Sequence, residues 1–426
     1  MQFLKVGLLF AASTLSRLLA GLVVVKIIAI YVGADGLGRL GQFMSLIAII
    51  TTLAGGGIST GIVKYVAEYK DDRSELSGYL GAASLVTVVA SLVIGLALLI
   101  AAPYLSQLLL KSTEYEGAVR ALAFAQFLIA ISNLLMGLVN GHKRVKAFAA
   151  INVISVVLGA IGMAVACANF GIAGAMYGLM WMSCCTLLFL VPWYRFGLKF
   201  EWKRLMPRWD AVKVRHFMAY GLMLLVTAAT MQVTQIVIRQ IIESEAGWHE
   251  VGYWQAVVKV SDAYLQFVTV ILANYYLPRL AENSGAEKTH ALVMAAYKFA
   301  MPALFLLSGT VFLLRETIIP IIFSKDFLPA SAFFPGQLVG DFFKVGAYII
   351  AYVAVARAST AFYVIAEIFQ ASMLVILSYV VVHRFGAVGA TYAYGLTYAI
   401  YFVTCCIAYR VYISNSSPAV VRSQLG

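Results

Sequence analysis

The 426-residue sequence is poor in charge: Asp, Glu, Lys and Arg together make up 12% of it, whereas apolar residues make up 62%. A typical soluble domain carries roughly 25% charged residues, so this chain has too few charges to cover a water-exposed surface. Their scarcity leaves long uncharged stretches, among them 80–102 and 148–193. Because roughly 20 apolar residues span a bilayer as a helix, these stretches predict transmembrane helices.

The sequence also lacks the patterns of redox, metal and enzymatic chemistry. Its five cysteines all fall inside predicted spans, without metal-ligand spacing or a nearby histidine or aspartate, so they are interpreted as small packing residues. No nucleophile motif is present, and the predicted outer loops are short. These absences argue against a membrane enzyme such as a polysaccharide polymerase or acyltransferase, and they predict no cofactor and no metal. The cysteines are Cys167, Cys184, Cys185, Cys405 and Cys406.

Twelve transmembrane helices are predicted, and the expected fold is an all-α polytopic membrane protein. Lys5 precedes the first apolar stretch, as in a signal peptide. That stretch carries Arg17 and Lys26 and lacks a cleavage site, so it is interpreted as a retained helix. The predicted spans are 6–32, 40–66, 77–102, 117–140, 147–169, 172–194, 215–242, 252–280, 290–314, 333–357, 361–383 and 387–412.

The net charge of +12 would suggest a nucleic-acid partner for a soluble protein, but in a membrane protein the placement of charge matters more. With the N-terminus inside, most of the 31 Lys and Arg residues fall in cytoplasmic segments and few fall on the opposite side. The positive-inside rule therefore predicts that both termini are cytoplasmic. No nucleic-acid partner is expected, and the basic segments are expected to contact membrane lipids.

The longest polar break, at 195–215, carries seven basic and two acidic residues and is interpreted as a linker resting on anionic headgroups. It divides the chain into an N-lobe at 1–194 with helices 1–6, a basic cytoplasmic linker at 195–214, and a C-lobe at 215–426 with helices 7–12 and a short cytoplasmic tail.

The two halves resemble each other in sequence. FGIAGAMY at 170–177 matches FGAVGATY at 385–392, an offset of 215 residues. Because six is an even number of helices, both halves enter the membrane in the same orientation, which makes a parallel repeat. This organisation predicts an alternating-access transporter with its substrate path between the lobes. Similar offsets relate Lys26 to Arg239, Gly38 to Gly252, Gln126 to Gln337, Arg144 to Arg357, Phe148 to Phe362 and Asn152 to Glu367.

Several charged residues fall inside the predicted spans, where each costs about 2.5–3.5 kcal/mol on insertion scales. Such residues need partners, a hydrated cavity or a ligand. Lys298 lies near a helix end and is expected to reach the interface. The others are Arg17 and Lys26 on helix 1, Arg239 on helix 7, Lys259 and Asp262 on helix 8, Asp341 and Lys344 on helix 10, and Glu367 on helix 11.

Polar residues in the second half follow helical spacing. Helix 8 carries Gln255, Lys259, Asp262 and Gln266 on one face, and helix 10 carries a comparable stripe. Two hypotheses remain open: these stripes line a cavity, where the acidic residues and Lys344 serve coupling or gating, or the i, i+3 pairs neutralise each other. The proposed coupling or gating residues are Asp262, Asp341, Lys344 and Glu367. The proposed polar lining is Gln255, Gln266, Gln337 and Asn152.

The nine intramembrane charges comprise six cations and three acids, and helix 1 contributes two cations without an acid. Surplus positive charge inside a membrane protein favours an anionic substrate. Arginine would bind phosphate oxygens through its planar fork, and lysine would act as a point charge.

Five segments resemble the Wzx-type lipid-linked oligosaccharide flippases, especially the enterobacterial common antigen (lipid III) branch, within the multidrug/oligosaccharidyl-lipid/polysaccharide exporter superfamily. The resemblance covers essentially the whole chain. The segments are GIVKYVAEY at 61–69, WQ at 254–255, SDAYLQF at 261–267, YLPRL at 276–280 and QLVGDFFKVGAY at 337–348.

This resemblance implies twelve helices in two lobes in the bacterial inner membrane. It also implies export of undecaprenyl-diphosphate-linked repeat units, of the O-antigen or lipid III type, to the periplasmic leaflet. A polysaccharide polymerase and a chain-length regulator are the protein partners it suggests. The cations it assigns to the diphosphate are Arg17, Lys26, Arg239 and Lys259.

Membrane potential is a candidate driving force, because outward movement of an anion is favoured by about 2.3 kcal/mol per charge per 100 mV. The acidic residues would add proton or sodium coupling. The alternative function is a multidrug or other small-molecule exporter of the same superfamily, coupled to Na⁺ or H⁺. An exporter of cationic drugs would favour a cavity dominated by carboxylates, and the excess of cations argues against it.

Overall fold

The structure is a computed structural model that describes residues 2–69, 72–142, 144–194, 202–283, 285–357 and 360–416. Within these ranges, side chains are described except at 2–20, 56–57, 145, 219–227, 360–363 and 415–416. Every regular element of the described residues is helical. The α-helices are α1 (Gln2–Thr51), α2 (Gly57–Glu68), α3 (Arg73–Leu110), α4 (Glu116–Gly141), α5 (Val145–Pro192), α6 (Ala211–Ile271), α7 (Leu277–Glu282), α8 (Ala286–Ile322), α9 (Phe334–Ala356), α10 (Thr360–Phe385) and α11 (Gly389–Ser416).

Nine helices of the described residues are long and apolar enough to cross a membrane. Three of the helices, α1, α5 and α6, continue where the sequence predicts a break between two spans. Each instead bends at one glycine with non-helical backbone angles: Gly33, Gly171 and Gly247 respectively. A glycine without a Cβ can change the direction of the chain within one residue, so no separate loop is needed.

The bending glycines follow the sequence repeat. Gly33 and Gly247 have φ angles of 68° and 81°, and Gly171 and Gly386 have φ angles of 55° and 66°. The members of each pair are separated by 214 or 215 residues, close to the offset of the FG motifs. At all four positions a Cβ would meet no atom within 4 Å, so the backbone conformation itself explains the glycine.

Two short π-helical segments also recur. Thr52–Gly56 joins α1 to α2, and Leu272–Tyr276 joins α6 to α7. Such widened turns inside apolar helices are frequent at functional sites. Two 3₁₀ segments, Trp202–Leu205 and Lys325–Phe333, precede α6 and α9.

Contacts divide the chain into two units, Met1–Ile236 and Val237–Gly426. The boundary lies within α6, beyond the polar linker that the sequence marks as the boundary. The start of α6 belongs to the first unit: Phe217 is buried against Tyr65 and Tyr79, and just before the helix Arg208 N donates to Gly81 O at 3.1 Å. All five cysteines are unpaired.

Candidate functional site

Asp341 of α9 is fully buried, with 0% of its surface exposed, and it lies in the second unit. Its Oδ2 accepts hydrogen bonds from Ser261 Oγ and from Tyr264 Oη, both on α6. Its Oδ1 accepts from Tyr394 Oη of α11 at 2.8 Å and from Gln337 Nε2 at 3.3 Å. We call these five residues the carboxylate cluster.

The carboxylate cluster depends on three helices of one unit. Gln337 and Asp341 are one turn apart on α9, so both face the same neighbours. A Cβ at Gly340 would overlap the ring of Tyr394, which shows that this glycine lets α11 approach α9. Four neutral donors match the acceptor capacity of an ionised carboxylate, so the site can hold a buried negative charge without a direct ion pair.

Lys344, one turn beyond Asp341, is half-buried among aromatic rings. Its Nζ lies 5.6 Å from the ring centre of Tyr394, 5.2 Å from that of Tyr398 and 5.9 Å from that of Tyr348. Such contacts attract a cation through the electron-rich ring faces. Lys344 also interacts electrostatically with Asp341. Tyr398 in turn accepts a hydrogen bond from Gln370 Nε2 at 2.9 Å.

Arg239 and Lys259, both on α6, form a second group that we call the cationic pair. Arg239 is 4% exposed, its Nε donates to Gln255 Oε1 at 2.8 Å, and its guanidinium lies 5.6 Å from the Trp254 ring. Lys259 is half-buried and interacts electrostatically with Asp262 and with Arg239. Two cations therefore share one carboxylate, and the group has surplus positive charge that suits an anion.

The polar stripe that the sequence predicts on helix 8 lies on α6, and its burial decreases along the helix. Gln255 is buried, Lys259 is half-buried, and Asp262 and Gln266 are exposed. The buried end of the stripe is held in place by packing, and its exposed end is accessible to a ligand.

Among the described side chains, the two i, i+3 pairs interact electrostatically but do not make direct salt bridges. Within the described part of the chain, no ion pair joins Lys259 to Asp262 or Asp341 to Lys344. The Asp341 oxygens are occupied by neutral donors from other helices, and Lys344 faces tyrosine rings. Spacing along one helix could not predict this result, because the competing partners come from α6 and α11.

The other predicted residues lie elsewhere. Lys26 is half-buried on α1, and Asn152 of α5 donates to Phe148 O of its own helix at 2.8 Å; both belong to the first unit. Glu367 is half-buried on α10 and interacts electrostatically with Tyr348. The Arg17 side chain lies outside the described residues.

Sequence reasoning missed the hydroxyl donors of the carboxylate cluster. Ser261 and Tyr264 lie beside the recognised stripe of α6, and Tyr394 is part of a tyrosine pair with Tyr398 on α11. The i, i+4 spacing of that pair was the available signal. Among the described residues, no group of three His, Cys, Asp or Glu side chains is placed to hold a metal ion.

Comparisons with known proteins identify a matching family, similar sequences and solved structures of similar fold. Residues 3–284 match the family described as polysaccharide biosynthesis protein. Two relatives, each named lipid III flippase, from Escherichia coli (strain K12) and Shigella flexneri, are 36% identical over 410 residues, covering 95% of this chain and 98% of each relative.

Two solved structures are similar in fold. The first is an inward-facing MATE-family multidrug resistance transporter of the MOP superfamily, with a TM-score of 0.77, 17% identity and 95% coverage of both chains. The second is the lipid II flippase MurJ in an inward closed conformation, with a TM-score of 0.71, 15% identity, and coverage of 96% of this chain and 87% of that one. At these identities the likeness shows the fold alone.

Proposed function

The chain belongs to the polysaccharide biosynthesis protein family, and from this membership we propose that it is a flippase for undecaprenyl-diphosphate-linked oligosaccharide repeat units. It moves them from the cytoplasmic to the periplasmic leaflet of the bacterial inner membrane, where a polymerase and a chain-length regulator would use them. The observation that carries the proposal is the 36% identity to proteins named lipid III flippase over 95% of the chain, both units included. Lipid III is therefore preferred over an O-antigen unit as the substrate.

We propose that the nine long apolar helices form twelve membrane spans, because α1, α5 and α6 each supply two segments on either side of a bending glycine. The paired glycines support two six-span lobes related by a parallel repeat. The distribution of basic residues supports cytoplasmic termini. Alternating access then exposes a cationic cavity to each leaflet in turn.

The diphosphate is proposed to bind where the cations exceed the acids. Lys259 is half-buried, and the buried Arg239 adds positive potential to it while donating to Gln255. Arg17 and Lys26 would supply the cations of α1. The excess of cations over Asp262 suits a substrate that carries more than one negative charge.

The carboxylate cluster is proposed to couple or gate transport together with Lys344, Asp262 and Glu367. A carboxylate with four neutral donors can change its hydrogen bonding when a proton or a cation arrives, which would rearrange α6, α9 and α11 together. Membrane potential would add about 2.3 kcal/mol per charge per 100 mV.

The test is complementation of strains that lack either the lipid III flippase or an O-antigen flippase. Expression of this chain is expected to restore enterobacterial common antigen at the cell surface. Lys26→Gln and Lys259→Gln are expected to lower surface antigen at least tenfold, with normal membrane insertion. Lys298→Gln is the matched control, because it removes the same charge from an exposed position on α8.

Restoration of neither surface glycan by the membrane-inserted wild-type protein would overturn the proposed function. Full export by both lysine variants would overturn the proposed diphosphate site. Restoration of O-antigen alone would change the substrate and keep the class of transporter.

A further inference from the structure

An apolar groove of about 640 Å³ lies within the second unit between α9, α10 and α11. This volume falls in the range of roughly 300–1,000 Å³ that is typical of small-molecule sites. Its described lining is almost wholly aliphatic and aromatic, with Ala354 of α9, Phe369 of α10 and Ala408 of α11 among its walls. The small side chains of the two alanines leave room between the helices.

One cation, Arg357, lines this groove at the end of α9. Its Nε donates to Tyr412 Oη at 3.2 Å, and its Nη2 donates to Asn283 O at 2.8 Å and Thr289 Oγ1 at 2.9 Å. Within the described residues, Nη1 makes no hydrogen bond. Three bonds therefore fix the guanidinium while one nitrogen stays available for an anion.

The place of Arg357 at the end of an apolar span predicts that it lies at the depth of the phospholipid headgroups. The apolar span of this helix ends at Ala356, and Arg357 follows directly. The distribution of basic residues predicts that this end is on the cytoplasmic side. An arginine at the interface, with its apolar groove extending into the membrane, complements a lipid with an anionic head and a hydrocarbon chain.

The length of the groove fits one chain. Along α11 its lining runs from Tyr401 to Tyr412, which is about 16 Å at 1.5 Å per residue. One leaflet supplies about half of the ~30 Å hydrocarbon thickness. The groove thus extends through approximately one leaflet, which suits a fatty acyl chain better than the much longer undecaprenyl chain.

We propose that this groove is a binding site for an anionic phospholipid of the cytoplasmic leaflet, with one acyl chain between α9, α10 and α11 and the phosphate on Arg357. The occupant is a resident lipid rather than cargo, because Lys26, Arg239 and Lys259, the proposed diphosphate residues whose side chains are described, do not line the groove. The proposal does not depend on the flippase function.

The direct test is photo-cross-linking of the purified full-length protein with phosphatidylglycerol that carries a photoactivatable acyl chain. Mass spectrometry is expected to find the label on peptides of α11 around Cys405 and Ala408. Arg357→Gln is expected to weaken phosphatidylglycerol binding about tenfold, which corresponds to ~1.4 kcal/mol. Ala408→Phe, which fills the groove, is expected to abolish the label.

Two control variants lie on α11, the helix that carries Ala408. Arg410→Gln removes an exposed arginine near the same end, and Val403→Phe adds the same ring at an exposed position outside the groove. Both are expected to label like the wild type. Equal labelling of Arg357→Gln and wild type would overturn the proposal. So would equal competition by phosphatidylethanolamine, or better competition by undecaprenyl phosphate than by phosphatidylglycerol.

Adjacent cysteines provide a measurement that needs no substitution. Cys405 lines the groove and Cys406 does not. Added phosphatidylglycerol is expected to slow maleimide alkylation of Cys405 several-fold and to leave Cys406 unchanged, as resolved by tandem mass spectrometry. This measurement decides the matter if Ala408→Phe fails to fold, and equal effects on both thiols would count against the groove.

Discussion

The sequence comparison relates Gln126 of the first unit to Gln337 of the second, and both side chains are buried. The Gln126 amide donates to two backbone carbonyls, Ser91 O at 2.7 Å and Ala123 O at 3.1 Å. The Gln337 amide donates instead to side chains of the carboxylate cluster. The first unit satisfies the N–H donors of this amide with helical backbone carbonyls, and the second satisfies them with a side-chain network that forms only where three helices meet.

The first unit places its aromatic contacts near the start of α6. Tyr65 and Tyr79 stack with ring centres 4.1 Å apart, Tyr69 stacks on Tyr79 at 5.1 Å, and Phe217 meets Tyr65 edge-on at 5.4 Å. We call this group, with His216, the aromatic stack. It holds α2, α3 and the beginning of α6 together by packing, whereas the second unit joins its helices through hydrogen bonds to one buried carboxyl group.

Removal of that carboxyl group is expected to have the largest effect. Asp341→Ala leaves the hydroxyls of Ser261, Tyr264 and Tyr394 without this acceptor, and each buried unsatisfied group costs about 1–3 kcal/mol, so thermal stability in detergent should fall strongly. Gln126→Ala is expected to cost only about 1 kcal/mol, because its backbone acceptors keep their helical bonds. Hydrogen exchange should locate the first loss in the second unit. Equal melting temperatures for the two variants would contradict this difference between the two units.

Truncation of the aromatic stack tests the other side of the comparison. Tyr79→Ala removes a buried ring and is expected to cost about 3 kcal/mol, within the range of aromatic truncations in protein cores. Hydrogen exchange should increase in α2, α3 and the start of α6 and not in α9. Tyr79→Phe is the control, because it keeps the ring and loses only the hydroxyl, which has a long contact of 3.5 Å to His216 Nδ1 and a hydrogen bond with Tyr69.

Substitution of the bending glycines is expected to cost the same stability in both units. Gly33 and Gly247 have ψ angles of −166° and 173° with positive φ, a region that is essentially restricted to glycine. Gly33→Ala and Gly247→Ala are therefore each expected to cost about 1–3 kcal/mol by backbone strain alone, since a Cβ meets no neighbour. Thermal scans of both variants should agree. A large difference between their melting temperatures would show that one of the two bends contributes more to stability than the other.

The smallest effect is expected at a surface ion pair of the first unit, outside the apolar spans. Lys213 Nζ lies 3.0 Å from Glu75 and 3.4 Å from Asp210. The hydrogen bond from the Lys213 backbone, followed by the Lys213 ammonium, lowers the pKa of Asp210 below its ordinary value of 3.8. Burial acts to lower the pKa of Lys213, but its pairing with Glu75 and then Asp210 raises it above 10.5.

The signs of these shifts define a pH window. The Asp210 contribution is present above pH ~4 and is lost as the pH falls through its lowered pKa; the Lys213 contribution is lost only as the pH rises above ~10.5. The small difference in melting temperature between wild type and Asp210→Asn should therefore be constant from about pH 5 to 8 and vanish in stronger acid. A difference that changes between pH 5 and 8 would contradict this assignment.

Much of the fold follows from the pattern of residues along the chain. Few charges and long apolar runs predicted membrane helices, and the nine candidate spans of the described residues agree with that class. The FG motifs predicted a repeat, and Gly171 and Gly386 share a positive φ at those motifs. The resemblance to oligosaccharide flippases is confirmed by the family match and by the relatives. The roles of Lys26, Lys259 and the other site residues stay predictions.

What the sequence by itself determined is therefore local or periodic: which segments are apolar, which residues share a helix face, and where the halves correspond. Tertiary structure alone decided the partners. Asp341 and Lys344 share a face of α9, yet the carboxylate bonds to hydroxyls of α6 and α11 and the ammonium faces tyrosine rings. Helical spacing fixes the direction of a side chain, whereas the atoms that meet it depend on which distant helix packs there.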